Sequence, residues 1–205
     1  MNLSSKLRKY LVMGSQNCKR DPLTILEEAI DGGITAFQYR EKGPGSLNGK
    51  EKLDLGRKLR EICKENDILF FINDELALVE PLEADGIHIG QEDEDADKVR
   101  ALFPEKIIGL SVSNTEEVTN SSIDSVDYLG AGPIFLTDTK KDAKPVVGTD
   151  WITALRKGYP DLPIVGIGGI TTSNASEVIR AGANGVAVIS DITHSKNISK
   201  TVKKL

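Results

Sequence analysis

Gln38, Arg40 and Lys42 occupy every second position of the segment Gln38-Tyr39-Arg40-Glu41-Lys42, so an extended backbone sends all three side chains to one side. Arginine offers a planar fork for a phosphate, and lysine adds a mobile point charge. The trio suits an anion; the plainer alternative is a solvated strand end whose cations pair with Glu41 or Glu51. Asp74 and Asp93 follow two consecutive apolar runs. Two acids brought to one point repel unless a cation joins them. Hard oxygen donors suit Mg2+, which takes one or two carboxylates and completes its shell with substrate phosphate. Two ordinary helix N-caps would use the same residues. Taken with the basic trio, the acids describe a metal-diphosphate site.

A second anion site is suggested by Gly166-Ile167-Gly168-Gly169-Ile170, followed by Thr171-Thr172-Ser173-Asn174, and by Val188-Ile189-Ser190. Glycine lets backbone N–H groups approach a monophosphate closely, although tight turn geometry alone also calls for it. The stretch from Gly130 to Gly148 is rich in glycine, proline and threonine and carries three lysines. It reads as a lid over the site or as a plain surface loop. Other reactive residue types lack companions. His88, between Ile87 and Ile89, reads as a packed or hydrogen-bonded structural histidine, and His194, in a polar tail, as a surface residue. Cys18 and Cys63 have no adjacent base and form no metal motif or disulfide framework, and no serine-hydrolase elbow is present.

These groups need a scaffold that gathers residues far apart in the chain. Apolar, β-branched-rich runs recur at Tyr10 to Met13, Ile34 to Tyr39, Ile68 to Ile72, Gly86 to Ile89, Ile107 to Val112, Tyr128 to Gly132, Ile164 to Gly168 and Gly185 to Ile189. Several are nearly continuous in hydrophobicity, as parallel strands covered by helices should be. Between them the period becomes helical. Asp21-Pro22 opens a helix with Ile25, Leu26, Ala29 and Ile30 on one face, closed by Gly32-Gly33. Leu55, Leu59 and Ile62 mark a long helix from about Ser46 to Asn66, and shorter stripes contain Ala96, Val99 and Phe103, then Trp151 and Leu155, then Ala175, Val178 and Ile179. Asn114 with Glu117 resembles a capping box. Asp31-Gly32-Gly33, Ala84-Asp85-Gly86 and Ala183-Asn184-Gly185 punctuate the passage from helix to strand. Eight such units in 205 residues, about 26 residues each, fit a single-domain (β/α)8 TIM barrel spanning residues 1–205. A doubly wound open sheet is the runner-up, without its usual glycine fingerprint after the first strand. In a barrel, the polar groups above all follow strands and share one face.

Composition narrows the partners. With 26 Lys and Arg against 31 Asp and Glu the net charge is −5, so no broad positive field exists for nucleic acid or an acidic membrane, and an anionic ligand must be met locally. The longest apolar runs fall far short of a membrane span. Two isolated cysteines, and an N-terminus without an apolar core and cleavage signal, fit a reduced cytoplasm.

Six segments in order resemble the thiamine-phosphate synthase family across nearly the whole chain. They are Gln38-Tyr39-Arg40-Glu41-Lys42, Ile72-Asn73-Asp74, the run from Asp85 to Asp93, Gly109-Leu110-Ser111, Gly132-Pro133-Ile134-Phe135 with Thr137-Asp138-Thr139-Lys140, and Ile167-Gly168-Gly169-Ile170. The resemblance implies transfer of an aminopyrimidinylmethyl group from its diphosphate to the nitrogen of a carboxylated thiazole phosphate, or its decarboxylated analogue, giving thiamine phosphate and diphosphate. Carried over by position, it implies that Gln38, Arg40, Lys42, Asn73 and Lys140 contact the pyrimidine diphosphate, that Asp74 and Asp93 hold Mg2+, and that Ser111 contacts the pyrimidine. Thr137, Thr139, Gly169, Ile189 and Ser190 are implied thiazole-phosphate contacts; Tyr39, Glu41 and Asp138 join the substrate-binding set as members of matched segments. Arg40, Lys42, Ser111 and Lys140 are the residues implied in catalysis. The family mechanism is dissociative, with diphosphate leaving first, and needs no protein nucleophile. Glu75 departs from the arginine common at that position, which should alter a loop contact rather than metal binding. Two rivals stand beside this expectation. One is an isomerase related to thiazole tautomerases, whose histidine near the end of the fifth strand is replaced here by Ser113-Asn114. The other is a non-catalytic regulator that binds the same small molecules. The oligomeric state is not legible.

Overall fold

The computed structural model describes residues 2–137 and 144–205. Its strands are β1 (Lys9–Met13), β2 (Ala36–Tyr39), β3 (Leu69–Asn73), β4 (Gly86–Ile89), β5 (Ile107–Val112), β6 (Tyr128–Ala131), β7 (Ile164–Ile167) and β8 (Gly185–Val188). Neighbours pair in parallel in chain order and β8 returns to β1, closing the barrel. Each strand lies within two residues of its expected run. The (β/α)8 expectation is therefore met. The helices are α1 (Leu3–Lys6), α2 (Pro22–Gly32), α3 (Gly49–Glu65), α4 (Ala96–Leu102), α5 (Thr115–Thr119), α6 (Gly148–Gly158), α7 (Ala175–Arg180), α8 (Ser190–Thr193) and α9 (Ile198–Lys203). Between β3 and β4 the described connection contains only a 3-10 turn, Leu76–Leu78.

Local chemistry explains where the helices begin and end. Asp21 accepts a hydrogen bond from the Thr24 N–H, Pro22 opens α2, and Gly33 closes it at φ 93°, a left-handed conformation that suits glycine. Helix α3 buries Gly56, Leu59 and Cys63, while the expected Leu55 and Ile62 flank that face half-buried. Ile179, expected on the inner stripe of α7, is 41% exposed, so that stripe rests on Ala175 and Val178. At α5, Asn114 caps the Glu117 N–H as expected, but the Glu117 carboxylate accepts from the Ser113 N–H, one residue before the cap.

Apolar side chains fill two layers. The larger core lies between strands and helices; the smaller fills the barrel interior, where Tyr10, Phe71, Tyr128 and Val165 meet. Phe71 and Tyr128 pack edge to face at 5.7 Å. A Cβ at Gly109 would lie 2.1 Å from the Tyr128 ring, so glycine on β5 makes room for the tyrosine of β6.

Below this layer, at the N-terminal ends of the strands, one clamp repeats. Asp85, just before β4, accepts from the Phe70 N–H of β3 and from a two-pronged Arg60. Asp127, before β6, accepts from the Ile108 N–H of β5 and from Arg100. Asn184, before β8, accepts from the Ile164 N–H of β7 and from Arg156. Before β2 the Thr35 hydroxyl takes the Lys9 N–H of β1. The helix-to-strand punctuation in the sequence thus marks the sealed end of the barrel.

Candidate active site

The opposite end holds a cavity of about 740 Å³. Its floor is polar because the inward positions change character along each strand: β2 runs Ala36, Gln38, then Arg40 beyond its end, and β4 and β5 bring His88 and Ser111 to Gln38's level. Gln38, Arg40 and Lys42 all line the cavity, as their spacing predicts. The same alternation turns Tyr39 and Glu41 outward, correcting their placement among the substrate contacts. Tyr39 is packed in the outer core with its hydroxyl donating to the Lys52 carbonyl at 2.9 Å. Glu41 is buried and accepts from the backbone N–H groups of Ser15 and Leu47, both at 2.7 Å, tying together the loops after β1 and β2.

Asp74 and Asp93 converge on one point. The Lys42 ammonium bonds to Asp74 and lies 3.9 Å from Asp93. The Asp74 bond raises the Lys42 pKa above its ordinary value, aided by both acids' charge and opposed by burial and by Arg40. Neither acid caps a helix: Asp95 caps α4, while Asp93 accepts from the Gly90 N–H at 2.7 Å. This donor pair fits a hard divalent cation, since the two carboxylates already surround a positive charge. Among the described residues no three His, Cys, Asp or Glu side chains form a metal cage. Glu75 pairs with Lys52 of α3, outside the cavity, in keeping with the expected loop contact.

Across the cavity lie Gly168, Gly169, Ile189 and Ser190. Gly169 has φ 64°, and a Cβ there would lie 2.3 Å from the Leu136 carbonyl oxygen, so both backbone conformation and space require glycine. Asn174 braces the turn, donating to the Gly169 carbonyl at 3.0 Å and accepting from the Thr171 N–H at 2.8 Å. Asn73 and Thr137 also line the cavity. Asp138, Thr139, Lys140 and the rest of the stretch up to residue 143 lie outside the described residues.

Sequence reasoning missed several cavity residues. His88 is hydrogen-bonded, as expected, but it also forms part of the floor. His194 is exposed at the rim. Gln16 donates to the Arg40 carbonyl at 2.8 Å and the Lys42 carbonyl at 3.2 Å, holding the basic strand end in place. Lys144 reaches Glu117 at 2.6 Å. Burial alone raises the Glu117 pKa, but the bonds from Lys144 and Ser113 outweigh it and hold the carboxyl below its usual range. Four buried side-chain polar atoms in the described residues lack a hydrogen-bond partner, and three of them, Gln16 Oε1, Arg40 Nε and Thr193 Oγ1, belong to residues lining this cavity. Orphaned buried polar atoms are rare because each costs roughly 1–3 kcal/mol, so their gathering here marks a place for a polar ligand.

A model of the family described as thiamine monophosphate synthase matches residues 9–192. The chain belongs to that family. Thiamine-phosphate synthase of Oceanobacillus iheyensis is 56% identical over 199 residues, 97% of each chain. That of Bacillus cereus strain B4264 is 47% identical over 203 residues, 99% of this chain and 93% of the relative. Among solved structures, thiamine phosphate pyrophosphorylase from Pyrococcus furiosus matches with a TM-score of 0.87 at 33% identity, over 100% of this chain and 96% of that one. The family resemblance read from six segments is borne out.

Proposed function

We propose that the cavity carries out the family's transfer, joining an aminopyrimidinylmethyl diphosphate to the nitrogen of a thiazole phosphate, with thiamine phosphate and diphosphate as products. The observation that carries this reading is the lining of one cavity, with Arg40 and Lys42 beside Asp74 and Asp93 on one side, the Gly168-Gly169 turn with Ile189-Ser190 on the other, and Gln38, His88 and Ser111 on the floor between. The Arg40 fork and the Lys42 ammonium bind the diphosphate and stabilise the charge that grows as the carbon–oxygen bond breaks and its electron pair leaves with diphosphate. The thiazole nitrogen then supplies the pair for the new carbon–nitrogen bond. At the far end, backbone N–H groups hold the thiazole phosphate and orient that nitrogen toward the vacated carbon. Asp74 and Asp93 would hold Mg2+, which supplies Lewis-acid neutralisation of the diphosphate oxygens. The isomerase alternative is disfavoured because Ser113, at the end of β5, is engaged by Glu117. Incubation with both substrates, with and without EDTA, and chromatography of thiamine phosphate tests the reading. Turnover unaffected by EDTA removes the aspartates' assigned role, and tight binding of both substrates without product favours a regulator.

A further inference from the structure

Beneath the cavity floor five side chains from five strands form one hydrogen-bonded chain. Gln38 Nε2 donates to the Tyr10 hydroxyl at 3.1 Å, which lies 3.0 Å from the Tyr128 hydroxyl. Tyr128 in turn lies 2.9 Å from His88 Nδ1, and His88 Nε2 lies 2.8 Å from Ser111 Oγ. Only the ends and the histidine face the cavity; Tyr10 and Tyr128 are 1% and 0% exposed. Burial pushes both phenols' pKa values up, so each keeps its proton and must give it to a neighbour.

That requirement gives the chain a single direction. Tyr10 accepts from Gln38, so its own hydrogen goes to Tyr128, the other partner within reach. Tyr128 then donates to His88 Nδ1, which places the imidazole proton on Nε2, and Nε2 donates to Ser111 Oγ. Two consequences reach the cavity. Ser111 has its hydroxyl hydrogen left to offer, and Gln38 has its carbonyl oxygen.

We propose that Tyr10 and Tyr128 are positioning residues that hold His88 as its Nε2–H tautomer, and thereby make Ser111 a donor and Gln38 an acceptor toward the substrate ring. A ring carrying an exocyclic amine and unprotonated ring nitrogens matches that polarity. Its oxo counterpart, with the amine replaced by a carbonyl and a ring nitrogen protonated, sets acceptor against acceptor and donor against donor. The chain therefore selects aminopyrimidine over oxopyrimidine, an inference that rests on the pyrimidine reading of this site. Discrimination built on buried hydrogen-bonding groups is strong because the wrong ring leaves them unpaired.

The first test needs no substrate and alters none of the five hydrogen-bonded side chains. The protein has two histidines, so a long-range proton–nitrogen NMR spectrum shows two imidazoles, assigned with His194→Gln. The expected result is His88 protonated at Nε2 and bare at Nδ1. An Nδ1–H tautomer or a doubly protonated ring overturns the proposal. Tyr128→Phe then removes the donor to Nδ1, and Tyr10→Phe breaks the chain one link earlier, with thermal melting to confirm folding. Either variant should mix the His88 tautomers and reduce the kcat/KM preference for the amino over the oxo pyrimidine diphosphate about tenfold. An unchanged tautomer and preference in both variants also overturns it. Absence of any product from the unaltered protein would sink the functional reading while leaving the tautomer result intact.

Discussion

The two ends of the barrel use the same residue types in opposite ways. At the sealed end, Arg100 donates to three backbone carbonyls and to Asp127, and Arg156 to four carbonyls and Asn184. Arg60 forks onto Asp85 with both terminal nitrogens, although its Nε, like that of Arg40, is buried without a partner. At the open end, Arg40 makes no ion pair with a described residue, and its Nε is buried without a partner. An arginine whose terminal nitrogens are bound within the fold stabilises the fold. An arginine whose terminal nitrogens meet no described partner is built for something that arrives later.

The difference can be broken by substitution, beginning where the effect is greatest. Arg40→Ala should lower the rate of thiamine phosphate formation by roughly 10²–10³-fold while the melting temperature stays put, since its side chain has no hydrogen-bond or ion-pair partner among the described residues to lose. A matching fall in melting temperature would place Arg40 with the structural arginines. Asp74→Asn and Asp93→Asn should each raise the Mg2+ concentration needed for half-maximal rate by on the order of 10- to 100-fold, read from a magnesium titration. An unaltered titration in both variants would remove the cation from between them. Arg100→Ala should behave in the reverse sense to Arg40→Ala. It costs about 2–3 kcal/mol in denaturant unfolding by leaving several carbonyls and Asp127 without their donor, with kcat and KM of the folded enzyme little changed.

The smallest expected effect concerns Glu117, which joins Lys144 on the cavity wall to the end of β5. Its folded-state pKa is depressed, so its contribution to stability is complete above the unfolded glutamate value, about 4.3, and disappears as pH falls through the lower folded value. Glu117→Gln should cost about 1 kcal/mol at neutral pH and converge with the parent protein in acid. Parallel stability curves down to that range would remove the carboxylate's role.

Much of this contrast was legible before any coordinates. Period-two spacing sends Gln38, Arg40 and Lys42 into the cavity, and the same spacing, followed strictly, sends Tyr39 and Glu41 out of it. Family motifs list residues by adjacency, whereas a strand sorts them by parity, and parity decides. Gly169 was recognisable as a turn glycine after the seventh strand, yet its close approach to the Leu136 carbonyl depends on a loop more than thirty residues away in sequence. His88 had no chemical companion nearby in the chain because its partners, Ser111 and Tyr128, are 23 and 40 residues distant. Gln16 and Thr193 carry no motif; their place in the cavity wall and their unpaired buried atoms single them out.

By itself the order of amino acids determined the alternation of strands and helices, the parity of the basic segment and the glycines that end elements, because each depends on neighbours within a few residues. Barrel closure decided the rest. It brought β4 beside β5 and set Tyr10 against Tyr128 across the interior, so that the direction of a buried hydrogen-bond chain and the saturation of each arginine became properties of the enclosed space. A hydrogen bond is made or missed over a few tenths of an ångström, and that distance is known only when the whole chain has folded.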